Sequence, residues 1–214
     1  MKSKFFTWIV KWLGPPVRGL FRLHFHNIEN EPDESEGPYV MICNHISNAD
    51  PVFLCAGKTK QQPHFMAKKE LFKIPLLKQL ISALGAYPID RNGADVSAIK
   101  NSIKMLKEGK CVGIFPQGHR EKGIDPDKAN LKNGAAMITV KAQVTVFPCY
   151  IRTKKNKFAF FRRIDVYYGK PIRFEELNYD PEATGEYTRI TKLMFDRVCE
   201  IYKSVEAEEQ KRGK

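Results

Sequence analysis

The amino-acid sequence predicts an α/β fold, with a mainly parallel central sheet flanked by helices and an N-terminal amphipathic helical anchor. Three observations predict it. Apolar runs at 39–43, 111–115 and 144–151 have the length and composition of buried strands. Between and after them, residues 76–84, 96–106 and 131–141 carry apolar side chains at three- and four-residue spacing, and 184–209 reads as a long terminal helix. Strand and helix in alternation favour a parallel sheet, because each helix carries the chain back to start the next strand. Ahead of all of these lies a basic, aromatic arm.

In that arm, Phe5, Phe6, Trp8, Ile9, Trp12 and Leu13 surround a narrow face of Lys4, Thr7 and Lys11 on a helical wheel. Gly14-Pro15-Pro16 is expected to break this helix, and a second helical piece is expected to follow with Arg18, Arg22 and His26 at four-residue spacing. A helix of about 12 residues is only about 18 Å long, against roughly 30 Å of bilayer hydrocarbon, so neither piece spans. Tryptophan and phenylalanine beside lysine favour helices lying in a membrane interface over 1–27, rather than a pair that simply packs on the core. No small-residue cleavage site follows, which argues against a signal peptide. Glu29, Glu31, Asp33, Glu34 and Glu36 then read as a solvated acidic linker over 28–37, leaving 38–214 as the folded domain with its C-terminal helix.

At 214 residues the chain fits one domain with a sizeable core. Hydrophobic content of 43% and charged content of 28% disfavour disordered, collagen-like and multi-span membrane classes. With 36 basic against 24 acidic residues the net charge is +12, which favours an anionic partner. Cys43, Cys55, Cys111, Cys149 and Cys199 are scattered, without a Cys-x-x-Cys spacing, so a disulfide framework or zinc site is not expected and a reducing, cytosolic-side location is. The run from Lys154 to Arg163 mixes bases with Phe158, Phe160 and Phe161. It reads as a solvated hairpin tip, with contact to lipid headgroups left open, rather than a nucleic-acid groove, since no nucleic-acid fold motif accompanies it.

The strand at 39–43 runs into Asn44-His45-Ile46-Ser47-Asn48-Ala49-Asp50-Pro51. In open α/β sheets, ligands gather outside the carboxyl ends of strands. If His45 is in the loop and a helix starts near Asp50, the carboxylate reaches back to the imidazole and leaves the second ring nitrogen free to take a proton from a hydroxyl. Taken alone the pair favours a plainer reading, with Asp50 as a helix cap before Pro51. Two further clusters change that weighing. Tyr87-Pro88-Ile89-Asp90-Arg91 and Phe115-Pro116-Gln117-Gly118-His119-Arg120 each put an arginine just past an apolar stretch. Guanidinium groups there suit phosphate, and Gly118 would let the backbone approach a ligand. His119 has no carboxylate at the matching spacing behind it, so His45 is preferred as the base.

Asn44-His45 to Asp50-Pro51, Gly85 to Arg91, Phe115-Pro116-x-Gly118-x-Arg120 and Val146-Phe147-Pro148-Cys149, in this order, resemble the four motif blocks of the 1-acylglycerol-3-phosphate acyltransferases. The match runs from about residue 38 to 172, and the Lys68 to Phe72 and Lys132-x-Gly134-Ala135 segments are also similar to family segments. The resemblance implies that His45 deprotonates the glycerol hydroxyl, Asp50 orients it, Arg120 and Arg91 hold the phosphate with Lys68 as a weaker candidate, and Pro148 shapes the acyl-donor side. Gln117 stands where the family usually has Glu, and is expected to contact the acceptor with Gly118; His119 stands where the family usually has Thr.

It further implies transfer from an acyl thioester, acyl-CoA or acyl carrier protein, to lysophosphatidic acid at the cytoplasmic face of a membrane, by a peripheral or monotopic protein. No metal, bound cofactor or nucleic acid is expected. The rival readings are an acyltransferase for glycerol 3-phosphate or another lysophospholipid, and a non-catalytic basic membrane-binding module; the His45 and Asp50 pair counts against the last.

Overall fold

The computed structural model describes residues 3–57, 59–89 and 96–212. Seven strands form one sheet: β1 Leu23–His26, β2 Tyr39–Cys43, β3 Pro63–Lys68, β4 Tyr87–Ile89, β5 Cys111–Ile114, β6 Thr145–Arg152 and β7 Ile164–Tyr168, in the spatial order β1-β7-β6-β2-β5-β3-β4. Strands β6, β2, β5, β3 and β4 are parallel, β7 is antiparallel to β6, and β1 is parallel to β7. The sheet is therefore mainly parallel, as expected. The carboxyl ends of the five parallel strands share one edge, where β7 and β1 begin.

Helices α1 Lys4–Leu20, α2 Asp50–Cys55, α3 Pro75–Ala83, α4 Val96–Lys107, α5 Gly134–Ala142 and α6 Glu186–Arg212 cover the sheet. Alternate residues of the buried strand β2 feed two cores, as the two-residue period of a strand requires. Val40 and Ile42 join Val112, Ile138, Val146 and Met194 on the side of α4, α5 and α6. Tyr39, Met41 and Cys43 join Phe6, Phe53, Phe147 and Cys149 on the side of α1 and α2. All five residues of β2 are buried, which explains why this strand reads as a continuous apolar run.

The N-terminal arm departs from expectation. One helix runs from Lys4 to Leu20 through Pro15 and Pro16, and residues 23–26 form the edge strand β1 instead of a second helix. A proline inside a helix costs about 3 kcal/mol. Packing offsets it: Phe6 before the prolines and Val17 and Phe21 after them pack on the same core, and Arg18 Nη1 donates to the Ala56 carbonyl at 3.0 Å. The acidic stretch is not simply solvated either. Glu31 is buried and accepts from the Tyr39 hydroxyl at 2.7 Å and the Lys60 and Gln61 amides at 2.6 and 3.1 Å. Among the described residues, no helix is long and apolar enough to cross a membrane.

Candidate active site

Chain geometry after β2 brings His45 and Asp50 together. The segment 44–49 stays non-helical, and α2 begins at Asp50 with Pro51 in its first turn, where a missing N–H costs nothing. Asp50 Oδ2 lies 2.8 Å from His45 Nδ1 and also accepts the Ile46 and Ser47 amides at 2.7 and 2.8 Å. An oxygen that already accepts two backbone N–H groups is an acceptor for the ring as well, so the proton sits on Nδ1 and Nε2 is the basic nitrogen. Both side chains are buried, Asp50 completely. Asp50 Oδ1 has no hydrogen-bond partner among the described residues.

The backbone of His45 is clamped from the neighbouring strand's loop. Its amide donates to Gln117 Oε1 at 2.5 Å, and its carbonyl accepts from the Glu121 amide at 2.9 Å. Gln117 Nε2 in turn donates to Glu121 Oε2 at 2.8 Å. Gln117 is thus turned into the protein and buried, which corrects the expectation that it touches the acceptor: both ends of its amide are held by this chain. Glu121 Oε1 also stands 3.5 Å from Nε2 of the exposed His119, a carboxylate two residues on rather than at the spacing that joins His45 to Asp50. Asn44 pins the end of β2 to β6, giving and taking one hydrogen bond each with the Ile151 backbone at 2.9 and 2.8 Å.

A stack of rings fixes the plane of the imidazole. His45 lies on Phe115 with centroids 4.1 Å apart, and Phe115 lies on Phe65 at 5.7 Å. Phe65 occupies the space above Gly113 so closely that a Cβ there would fall 2.1 Å from its ring. This requirement for glycine in the middle of β5 is a signal that strand patterning alone did not find. Below the stack opens a cavity of about 600 Å³, within the range of small-molecule sites. His45, Gly118, His119 and Lys132 line it together with apolar Met66, Ile89, Ile99, Ile114, Met137 and Ile138.

Gly118 is at the cavity with φ +72°, a conformation that favours glycine. Arg120 is exposed on the same loop and makes no hydrogen bond or ion pair with a described residue. Lys68 is exposed at the carboxyl end of β3. Arg91 lies outside the described residues. Pro148 is buried inside β6, level with Ile42, and is not among the residues that line the cavity. Lys132, whose backbone N–H donates to the Pro116 carbonyl at 2.7 Å, is a cation at the cavity to which the sequence reading gave no role. All five cysteines are free and buried. Burial pushes the Cys55 and Cys111 thiols up to about 12 and Cys43 and Cys149 well above the usual thiol range, which leaves none of these four as a nucleophile.

The fold therefore places a buried histidine–aspartate pair at the carboxyl ends of the sheet's strands, at the wall of a largely apolar cavity. The sequence model of the Acyltransferase family matches residues 22–152, and the chain belongs to that family. It is 30% identical over 178 residues to the 1-acyl-sn-glycerol-3-phosphate acyltransferase of Bacillus subtilis, covering 82% of this chain and 86% of that one. It is 34% identical over 157 residues to the enzyme of the same name from Streptococcus pneumoniae, covering 72% of this chain and 57% of that one. The crystal structure of the 1-acyl-sn-glycerophosphate acyltransferase PlsC from Thermotoga maritima has the same fold, with a TM-score of 0.68 at 22% identity, covering 97% of this chain and 84% of that one.

Proposed function

We propose that this acyltransferase moves an acyl group from a thioester to the sn-2 hydroxyl of 1-acylglycerol 3-phosphate, forming phosphatidic acid. The observation that carries the reading is His45, tied to Asp50 through Nδ1, with its ring at the wall of an apolar cavity. His45 Nε2 takes the hydroxyl proton as the oxygen attacks the thioester carbonyl carbon; the C–S bond then breaks, and the leaving thiolate recovers that proton from the imidazolium. Asp50 keeps the ring in the correct tautomer and offsets the imidazolium charge. A thioester is already an activated acyl group, so the step calls for neither metal nor bound cofactor.

Arg120 supplies a guanidinium for the acceptor phosphate, with Arg91, Lys68 and Lys132 as further cations and Gly118 opening the backbone at the loop. The apolar wall of Met66, Ile89, Ile99, Met137 and Ile138 suits a fatty chain. The protein works on a membrane surface at its cytoplasmic face, supported by the exposed Phe5, Trp8, Trp12, Leu13 and Leu20 of α1. Purified protein incubated with a panel of glycerol 3-phosphate and lysolipids, each with labelled acyl-CoA and acyl carrier protein thioesters, tests it. Phosphatidic acid as the main product is expected; preferential acylation of another acceptor would overturn the assignment, and the two donors compete in the same assay.

A further inference from the structure

We propose that the loop joining β6 to β7, residues 153–163, is a second lipid-contacting element that seats Phe160 and Phe161 in an anionic membrane surface beside the active-site edge; this rests on the membrane-surface reading above. Phe160 and Phe161 are 64% and 70% exposed, the most exposed phenylalanines among the described residues. Phe161 holds φ +60°, a costly conformation for a bulky side chain, and its ring nonetheless stands in the open. Around them Lys154, Lys155, Lys157 and Arg162 are exposed and form no ion pair with a described residue, whereas Arg163 is tied to Asp165. Exposed aromatic rings ringed by unpaired cations fit the boundary between acyl chains and anionic headgroups.

Position strengthens the argument. The loop leaves β6 and enters β7 at the edge where His45 follows β2. On one side it is fastened to the segment after Arg120, by the Gly123 amide to the Asn156 carbonyl at 2.8 Å and by Asn156 Nδ2 to Asp125 Oδ1 at 3.1 Å. On the other, Phe160 and Phe158 lie 5.9 and 5.7 Å from Phe21, the residue that ends α1. The apolar surface of α1 therefore continues through Leu20 and Phe21 onto the loop tip, and the loop links that surface to the catalytic edge. An acidic protein would satisfy the cations but leave two open rings with no pocket; a lipid surface takes both.

The full-length chain is tested by co-sedimentation with phosphatidylcholine vesicles, with and without phosphatidylglycerol. Phe160→Ser combined with Phe161→Ser is expected to lower partitioning to both vesicle types by about tenfold or more, since two apolar rings are withdrawn from the interface. Lys154→Ser, Lys155→Ser and Lys157→Ser together are expected to weaken only binding to the anionic vesicles, by roughly fivefold per charge at low salt. Because all five native cysteines are buried, Phe161→Cys accepts an environment-sensitive fluorophore selectively. That probe is expected to brighten on vesicles, while one at Lys170→Cys, beyond the other end of β7, stays dim. Melting temperature and acylation of a short-chain soluble acceptor are expected to match wild type. If the variants sediment like the parent and the Phe161 probe stays dim, the loop proposal falls and the membrane reading stands on α1. Failure of the parent to sediment overturns both. Intact vesicle binding with a defect confined to transfer from acyl carrier protein makes the loop a protein-docking surface and overturns the lipid assignment.

Discussion

Two histidine–aspartate pairs in this protein share a 2.8 Å contact and differ in everything around it. In the first, His45 uses Nδ1, and the other partners of Asp50 are backbone N–H groups. In the second, His26 on the edge strand β1 uses Nε2 and stacks on Tyr167, and Asp165 is also gripped by Arg163 through two nitrogens. Arg152 stands 3.9 Å from the same carboxylate. Asp165 divides its charge among cations, whereas among the described residues no lysine or arginine pairs with Asp50, whose charge remains available to an imidazolium. His26 is a third exposed and lines none of the cavity, while His45 is buried at its wall. Each histidine keeps one ring nitrogen without a hydrogen-bond partner among the described residues, so what sets His45 apart is the undivided charge of Asp50 and the cavity at its ring.

The sharpest way to break this contrast is to remove each ring. His45→Ala is expected to lower kcat by roughly 10² to 10⁴ with the fold retained, while His26→Ala keeps kcat within about twofold. Comparable losses in the two variants, read by steady-state kinetics and thermal melting, would erase the distinction. The carboxylates sharpen it further. Asp50→Asn is expected to cost about 10² in kcat, because the neutral amide cannot offset the imidazolium; Asp165→Asn should leave turnover untouched.

The support of His45 is probed next. Gly113→Ala is expected to push Phe65 off β5 and, through Phe115, tilt the imidazole, costing about 1 to 3 kcal/mol of stability as well as turnover. Recovery of both on adding Phe65→Leu would place the damage in the ring stack; a fully active Gly113→Ala protein would show that the stack does not hold the base.

At Gln117 the expected effect is smaller and depends on pH. Glutamate there would put a second carboxyl against the buried Glu121, and two carboxylates so close cannot both ionise without penalty. One folded pKa is then raised above its unfolded value, so stability is subtracted as pH climbs past the unfolded value. Gln117→Glu is expected to lose about tenfold in kcat, near 1.4 kcal/mol, more at alkaline than acidic pH, with Glu121→Gln restoring it. A loss that is independent of pH and not restored would rule out this carboxylate pairing.

The weakest effect belongs to the second pair. Burial pushes the Asp165 carboxyl up, but its contacts with Arg163 and His26 outweigh that and hold it below the usual carboxylate value. A depressed carboxylate lends stability that is present above its unfolded pKa and lost as pH falls through the folded one. With Arg163 half exposed, about 1 kcal/mol is at stake at neutral pH. Melting curves from neutral to acid should therefore be flatter for Asp165→Asn than for the parent.

His45 and Asp50 were legible because their geometry is local: a strand end, a short loop and a helix opening at Asp-Pro bring them together whatever surrounds them. The same holds for the strands at 39–43, 111–114 and 145–152, whose apolar runs can be satisfied only by burial. The contacts of Gln117 were not legible because they join the His45 amide and Glu121 through a turn whose path depends on β2 and β5 lying side by side. Propensity also misled at Pro15 and Pro16, where packing on both sides outweighs the local penalty. The sequence by itself determined which short segments are strands and helices and which dyad they present, because those follow from periodicity and steric rules over a few residues. Only the tertiary structure decided that Gln117 and Glu121 clamp His45, that Gly113 seats the ring stack, and that Phe21 at the end of the arm meets Phe158 and Phe160 of the 153–163 loop, because each is a contact between segments far apart in the chain.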